Sequence, residues 1–249
     1  MSFIGQNFMH VSIIIPAFNE ERLIESCLHS VREALSFNQR FNFTHEIIVV
    51  DNNSTDNTAN LAKAAGAHVV FEPINHIARA RAAGAKVAKG DWFVFLDADC
   101  LMSKELLNDI FQLIQSGKYV AAGSALYMRN LTWWAKLLLK IWTVLSVTFK
   151  WAAGALMVCN AQAYREVGGF NLDLYAAEEI SFSQRMKQWG RARRLKFTVL
   201  TAHPIETSSR KIHLYSAREV FAQFLSLVLH PYQTLHSKKK LTMWYDGRR

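Results

Sequence analysis

The stretch Trp92-Phe93-Val94-Phe95-Leu96-Asp97-Ala98-Asp99-Cys100 decides the fold class that we expect for this chain. Its first five residues are apolar, as in a short buried strand, and two aspartates follow almost at once. Side chains alternate between the faces of a strand, so Asp97 and Asp99 are expected to leave its end on the same side. A divalent cation would relieve the repulsion between these carboxylates, whose oxygens suit Mg²⁺ or Mn²⁺. The alternative is a solvated acidic turn between a strand and a helix.

The composition is that of a globular protein with an anionic partner. The chain has 249 residues, of which 51% are hydrophobic and 20% charged, so it can bury a full core and is not disordered. Its net charge of +9 favours nucleic acid, an acidic membrane surface or a phosphorylated substrate as partner. Zinc-finger spacing and aromatic RNA-binding signatures are missing, so we do not expect nucleic acid. Three scattered cysteines and a first segment unlike a signal peptide predict a cytoplasmic protein.

Strands and helices are predicted to alternate from residue 11 to residue 116. Short apolar runs have the composition of buried strands, and the segments between them have helical spacing of apolar residues. The predicted strands are 11–15, 46–50, 68–71 and 92–96, and the predicted helices are 19–35, 54–65 (capped by Ser54 or Thr55) and 77–89. This alternation predicts an α/β fold with a Rossmann-type, mostly parallel sheet flanked by helices.

Polar turns follow three of the predicted strands, at residues 16–20, 51–54 and 97–99. Ligands bind beyond the carboxyl ends of the strands in open sheets of this kind, so these turns are expected to form one site. The glycine-rich loops of dinucleotide oxidoreductases and phosphate-loop nucleotidases do not follow the first strand, which argues against both classes.

Three segments, taken in order, resemble the signatures of family 2 glycosyltransferases: residues 11–20, 49–56 and 95–99. The resemblance covers residues 10 to 190 and implies the GT-A fold with a helical acceptor-side portion. It also implies an enzyme that moves a sugar from a nucleotide diphosphate donor. We expect a single domain with a nucleotide-sugar-binding half (10–116), an acceptor and catalytic half (117–200) and a basic C-terminal extension (201–249).

The resemblance assigns roles to individual residues. The donor would contact Pro16, Ala17, Phe18, Glu20, Asp51, Arg81, Asp97 and Ala98, and the metal would be held by Asp99 and Asp97. Asp51 would pair with the nucleotide base, although its alternative role is to cap a helix.

The catalytic base is expected in a later segment. Gly168-Gly169-Phe170 and the downstream pair Glu178-Glu179 resemble the family's Gly-Gly-Phe turn and acidic pair. Inverting transfer needs a carboxylate that takes the proton of the acceptor hydroxyl, and Glu179, paired with Glu178, is the predicted base. The alternative is an acidic first helical turn that offsets the helix dipole. Asn52, where the family often has a second aspartate, is expected to affect loop structure.

A basic loop follows an apolar strand predicted at 197–200. Its Arg210 and Lys211 could fold over the diphosphate as a lid, or the loop could be solvated. His203 and His213 could complete a metal shell, but we assign them structural roles instead.

The segment 131–149 is apolar but interrupted by Lys136 and Lys140, and its uncharged run is too short to cross a bilayer. It could lie on an anionic membrane surface, where a lipid-linked acceptor would be natural. The interpretation that we favour is a core helix that buries its apolar side chains and directs its lysines to solvent.

Together these features predict a metal-dependent, inverting enzyme that transfers one sugar from a nucleotide-sugar, with a UDP-sugar favoured. Its acceptor is unidentified, and a peripheral position at the inner face of the membrane is an option. The Gln-x-x-Arg-Trp motif of processive synthases is missing, which favours transfer of a single sugar.

One alternative is a nucleotidyltransferase that makes nucleotide-sugars. It would need a glycine-rich basic loop after the first strand, which residues 16–20 do not provide. A nucleotide-sugar-binding or membrane-associated scaffold with a degenerate site is the main alternative, and the joint presence of Asp97, Asp99 and Glu179 argues against it.

Overall fold

The structure is a computed structural model that describes residues 9–210, 214–215, 219, 222, 226 and 231–241. Its strands are β1 (Met9–Ala17), β2 (Phe43–Asp51), β3 (His68–Phe71), β4 (Trp92–Leu96), β5 (Cys100–Leu101), β6 (Tyr119–Tyr127), β7 (Leu156–Asn160) and β8 (Lys196–Thr207). Its helices are α1 (Ile24–Phe37), α2 (Thr58–Ala64), α3 (Ile77–Val87), α4 (Lys104–Gln115), α5 (Trp133–Phe149), α6 (Ala161–Glu166), α7 (Glu178–Arg191) and α8 (Pro231–Leu235), followed by a short 3₁₀ helix at Lys238–Lys240.

The strands form one eight-stranded sheet in the order β3-β2-β1-β4-β7-β6-β8-β5. Strands β3, β2, β1 and β4 are parallel to one another, and β6 is parallel to β8. Strand β7 runs antiparallel to both of its neighbours, and β5 is antiparallel to β8. The predicted α/β fold with a mostly parallel sheet is therefore confirmed.

The sheet is covered on both faces because its central strands are apolar throughout. In β1, Ile13 and Ile15 belong to one core cluster with residues of α1 and α4, whereas Ile14 belongs to another with residues of α3 and α7. All three side chains are fully buried. A continuous β-branched run is the expected sequence of a strand with helices on both sides.

Two helix starts differ from the prediction because their polar residues are used elsewhere. The amides of Leu23 and Ile24 donate to the carbonyl of Glu20, so a turn precedes α1, which begins at Ile24 instead of residue 19. Helix α2 begins at Thr58 instead of residue 54, and the carboxylate of Asp56 accepts the Thr58 amide. The prediction that Ser54 or Thr55 caps this helix was wrong.

The turn after β4 and the end of β8 also differ from the prediction. Strand β4 ends at Leu96, and the Cys100 amide donates to the Asp97 carbonyl across a tight turn. The two aspartates therefore lie in a turn, and strand alternation does not set their directions. Strand β8 continues to Thr207 instead of ending at residue 200, because β6 and β5 pair with its second half.

The expectation that α5 is a core helix was wrong. Only Ala135 and Ser146 of its 17 residues are buried, while most of its large apolar side chains are exposed. Within the part of the chain that the structure describes, none of the helices combines the length and hydropathy that crossing a bilayer requires.

Helix α3 lies close to the sheet at Gly84. A methyl group there would overlap the Ile14 side chain and lie 2.9 Å from Cγ2 of Val50. We expect Gly84→Ala to reduce the free energy of unfolding by about 1–3 kcal/mol through overpacking, as measured by urea denaturation. Lys86→Ala, on the exposed side of the same helix, should change it by less than about 0.5 kcal/mol. Equal stabilities of the two variants would contradict this packing.

Candidate active site

The first two predicted turns lie side by side at the carboxyl ends of β1 and β2. Ala17 is opposite Asp51 in the parallel register, and the Asn52 amide donates to the Ala17 carbonyl at 2.8 Å. Asn19 has a left-handed backbone, with φ of 53°. Its amide donates to Ser54 Oγ at 3.0 Å, and its side-chain oxygen accepts the Thr55 amide at 2.8 Å. The turn after β1, including Pro16 and Phe18, is therefore held against the turn after β2.

Asp51 has a structural contact in this arrangement. Its carboxylate accepts the Ser54 amide at 3.0 Å and is largely buried. This contact closes the turn after β2, and Asp51 does not cap a helix as its alternative role required, because α2 begins only at Thr58.

Asn52 organises the loop that follows β3. Its amide nitrogen donates to the carbonyls of Glu72 and Ile74, at 3.1 and 2.6 Å, and its oxygen accepts the His76 amide at 2.8 Å. These contacts agree with the expectation that Asn52 affects loop structure.

Arg81 is the central residue of the site. It lies on α3, only 1% exposed. Its Nη1 donates to Glu178 Oε1 at 2.5 Å, and its Nη2 donates to Asp97 Oδ1 and to the Gly154 carbonyl, both at 2.9 Å. Burial alone would lower the pKa of this guanidinium, but the charges of Asp97, Glu178 and Glu179 raise it. Residues of the predicted donor, metal and catalytic segments thus contact the same guanidinium group, that of Arg81.

The acidic pair begins α7. Ala177, which precedes it, has a left-handed backbone that turns the chain into the helix. Glu178 is buried against Arg81, whereas burial and the charge of Glu178 raise the pKa of Glu179. A carboxyl group with a raised pKa holds its proton to a higher pH and is suited to exchange protons with a substrate.

Asp99 contacts the loop after β8. Its carbonyl accepts the Ser208 amide at 3.1 Å, and Thr207 Oγ1 lies 3.5 Å from its Oδ1. Asp99 also lines a cleft of about 280 Å³ together with Ser26 and Ser209. It takes part in no ion pair among the described residues, so its carboxylate can accept a cation.

Arg210 pairs with Glu20 at the first turn. Its Nη2 lies 2.8 and 2.9 Å from the two carboxylate oxygens of Glu20, which is 5% exposed. The basic loop is thus held between the predicted nucleotide and metal residues, and is not a freely solvated loop. Lys211 and His213 lie outside the described residues. His203 contacts Asp109 at 2.8 Å, as expected of a structural histidine.

Cys27 lies among the converging carboxylates. Burial raises the pKa of its thiol, and the charges of Asp99, Asp97 and Glu20 raise it further. The Sγ atom of Cys27 donates to the Asp97 carbonyl at 3.8 Å, so Cys27 contacts the turn that carries both aspartates. Among the described residues, no cluster of three or more histidine, cysteine or acidic side chains could hold a metal ion. Two carboxylates are nevertheless a sufficient protein contribution for Mg²⁺, which takes its other ligands from phosphate and water.

Gly154 and His76 also belong to the site, and neither was predicted. A Cβ atom on Gly154 would lie 3.1 Å from Arg81 Nη2 and 3.8 Å from Glu179 Oε1. His76 is buried against Tyr175 with ring centroids 4.5 Å apart, and neither ring nitrogen has a hydrogen-bond partner among the described residues. Burial lowers the pKa of its imidazole. Gly154 and His76 stand in no recognisable motif, so no sequence signal identifies them.

Comparisons with known proteins point to one family. The family model described as glycosyl transferase family 2 matches residues 12–163. A dolichol-phosphate mannosyltransferase of Pyrococcus furiosus is 31% identical over 121 residues, which are 47% of this chain and 33% of that one. The match spans between about a third and about half of the length of the curated relatives.

Two solved structures share the fold. TarS of S. aureus (residues 1–349), in complex with UDP-GlcNAc, has a TM-score of 0.63 and 18% identity over 96% of this chain and 71% of that one. Glucosyl-3-phosphoglycerate synthase of Mycobacterium tuberculosis, in complex with Mn²⁺, UDP and glucosyl-3-phosphoglycerate, has a TM-score of 0.58 and 20% identity. Its match covers 88% of this chain and 79% of that one. At these identities the likeness establishes the GT-A fold alone.

The buried Arg81 should be essential for stability. Arg81→Met leaves two carboxylates without their shared cation, and we expect the free energy of unfolding to fall by about 3–5 kcal/mol. Urea denaturation would measure this change. Arg79→Met, on the same helix, removes the partly exposed pair with Glu72 and should cost less than about 1 kcal/mol. Similar losses in both variants would argue against a buried charge centre at Arg81.

Proposed function

This chain belongs to glycosyl transferase family 2, and we propose that it transfers a single sugar, with inversion, from a UDP-sugar to an acceptor hydroxyl. The observation that carries the proposal is the meeting of Asp97 and Glu178 on the buried Arg81. This contact joins the predicted donor-binding segments, within residues 10–116, to the predicted catalytic segment within 117–200. We assign donor binding and acceptor binding to these two halves.

Asp97 and Asp99 would hold Mg²⁺ or Mn²⁺. When bound, the cation would neutralise the negative charge that develops on the departing diphosphate. The Mycobacterium tuberculosis neighbour, crystallised with Mn²⁺ and UDP, supports this choice of metal and nucleotide. Oxygen ligands from two half-buried carboxylates suit such a hard cation.

The turns after β1 and β2 would bind the nucleotide, through Pro16, Ala17, Phe18, Glu20 and Asp51. Ala98, between the two aspartates, would border the diphosphate. Arg210 would lie beside the same phosphates, since its partner Glu20 is in the first turn. We assign Lys211 to the phosphates on the sequence alone.

Glu179 would act as the base. Arg81 engages Glu178 directly, which leaves Glu179 as the member of the pair for proton transfer. The proton of the acceptor hydroxyl would pass to the Glu179 carboxylate as the oxygen attacks the anomeric carbon of the sugar. Glu178, in contact with Arg81, would hold the pair in position.

We infer that the acceptor is carried by a lipid and that the protein works on the cytoplasmic side, peripheral to the membrane. The relative from Pyrococcus furiosus supports this class of acceptor, because it is named a dolichol-phosphate mannosyltransferase. A nucleotide-sugar-binding scaffold with a degenerate site is the alternative function. UDP release from a panel of nucleotide-sugars distinguishes the two, since a scaffold would bind UDP without releasing it from any donor.

Substitution of the proposed base separates binding from chemistry. Glu179→Gln should leave the affinity for UDP unchanged and reduce UDP-sugar turnover at least about 100-fold, because the proton acceptor is lost. The wild-type rate should rise with pH through a pKa above the ordinary glutamate value of 4.5, because the raised pKa keeps Glu179 protonated at lower pH. Glu105→Gln, on the exposed side of α4, should have wild-type turnover. Substantial turnover by Glu179→Gln would remove Glu179 from this role.

The metal residue can be tested without turnover. We expect Mn²⁺ to increase the thermal stabilisation of the wild-type protein by UDP, since a ligand that binds only the folded state raises the melting temperature. Asp99→Asn should abolish the Mn²⁺-dependent part of this shift, while the exposed control Asp173→Asn should keep it. An undiminished Mn²⁺ effect in Asp99→Asn would exclude Asp99 as a ligand.

A further inference from the structure

Helix α5 presents an unusual apolar surface to solvent. Trp133 is 78% exposed, Val144 57% and Leu137 52%, and Ile141, Leu145 and Phe149 are also exposed. At about 100° per residue, the exposed apolar side chains, which also include Leu138 and Val147, cover an arc of about 200° along the whole helix. Contiguous apolar surface of this extent marks a contact site on a globular protein. We call this arc the α5 apolar face.

Positive charge borders the α5 apolar face. Lys136 and Lys140 lie along one edge of the arc, and both are exposed. At the end of the helix, Lys187 of α7 donates to the Phe149 carbonyl at 2.8 Å. Burial lowers the pKa of the Lys187 ammonium, and the positive charges of Arg191 and Lys150 lower it further.

Acidic residues are missing from this entire region of the sequence. No aspartate or glutamate occurs between Asp109 and Glu166, whereas Lys118, Arg129, Lys136, Lys140, Lys150 and Arg165 do. The partner of the α5 apolar face must therefore be apolar at its centre and anionic at its edge. An anionic bilayer surface has this chemistry, with acyl chains beneath negatively charged head groups.

A second copy of the chain fits less well. A two-fold interface would bring the same face onto itself, so the bordering lysines of both copies would approach each other. No acidic residue of the segment 110–165 could compensate them. We propose that the α5 apolar face docks the protein on anionic membranes, with α5 lying in the interface and its lysines contacting lipid phosphates.

The docking surface is directly connected to the proposed active site. The chain runs from α5 through Trp151 to Gly154, whose carbonyl accepts the Arg81 hydrogen bond. The Ala152 amide donates to Ser183, whose hydroxyl donates in turn to the Glu179 carbonyl. Docking would therefore hold Arg81 and Glu179 near the lipid surface. The link between docking and catalysis rests on the proposed function, whereas the docking itself does not.

Vesicle flotation tests the docking independently of any activity. The wild-type protein should float with vesicles of phosphatidylcholine and phosphatidylglycerol, and much less with phosphatidylcholine alone. We expect Lys136→Gln/Lys140→Gln to reduce partitioning about tenfold or more, since each basic residue near an anionic surface contributes to binding. Leu137→Gln/Ile141→Gln should reduce it at least as much through lost apolar insertion.

Matched controls separate the face from net charge and folding. Lys63→Gln/Lys86→Gln removes the same charge from other exposed positions, and Phe37→Gln removes an exposed apolar side chain from α1. Both should float as the wild type does, and all variants should keep its urea midpoint because the altered side chains are exposed. Wild-type protein that does not float, or α5 variants that float normally, would overturn the proposal. So would a wild-type dimer in sedimentation that Leu137→Gln/Ile141→Gln converts to monomer.

Discussion

The burial of one positive charge constrains most of this site. A guanidinium at 1% exposure loses nearly all of its hydration, and only close anionic partners can compensate that loss. Arg81 has two carboxylates and one carbonyl as partners, contributed by Asp97, Glu178 and Gly154. These residues lie far apart in the sequence, on the turn after β4, at the start of α7 and before β7. The need to satisfy Arg81 therefore fixes the position of α7 relative to the parallel half of the sheet.

The parallel half of the fold was predictable because its signals are local. The strands β1, β2 and β4 are continuous apolar runs, and a polar turn marks each carboxyl end. The start of α2 was not predictable in the same way, because Ser54, Thr55 and Asp56 are all suitable capping residues. Ser54 and Thr55 bond to Asn19 on the neighbouring turn, which leaves Asp56 to accept the Thr58 amide. Tertiary contacts therefore determine where α2 begins.

The exposure of α5 could not be derived from its sequence for a different reason. Apolar residues occur around most of the helix, so periodicity does not distinguish a buried position from an interfacial one. The same limit applies to Glu178 and Glu179. Their adjacency predicted an acidic pair, but which of them pairs with Arg81 depends on the left-handed turn at Ala177.

The charge distribution around the proposed active site explains why a divalent cation matters to the proposed reaction. Arg81 pairs with Asp97 and Glu178, and Arg210 pairs with Glu20, while the carboxyl groups of Asp99 and Glu179 lie near these pairs. Among these seven residues, five carboxyl groups outnumber two guanidinium groups, and this excess of negative charge would repel an approaching diphosphate. The raised pKa of Glu179 reduces this repulsion when the group is protonated, but Glu179 must be ionised to act as a base. A divalent cation held by Asp97 and Asp99 would remove the conflict, because it would make the site attractive to phosphate while Glu179 stays charged.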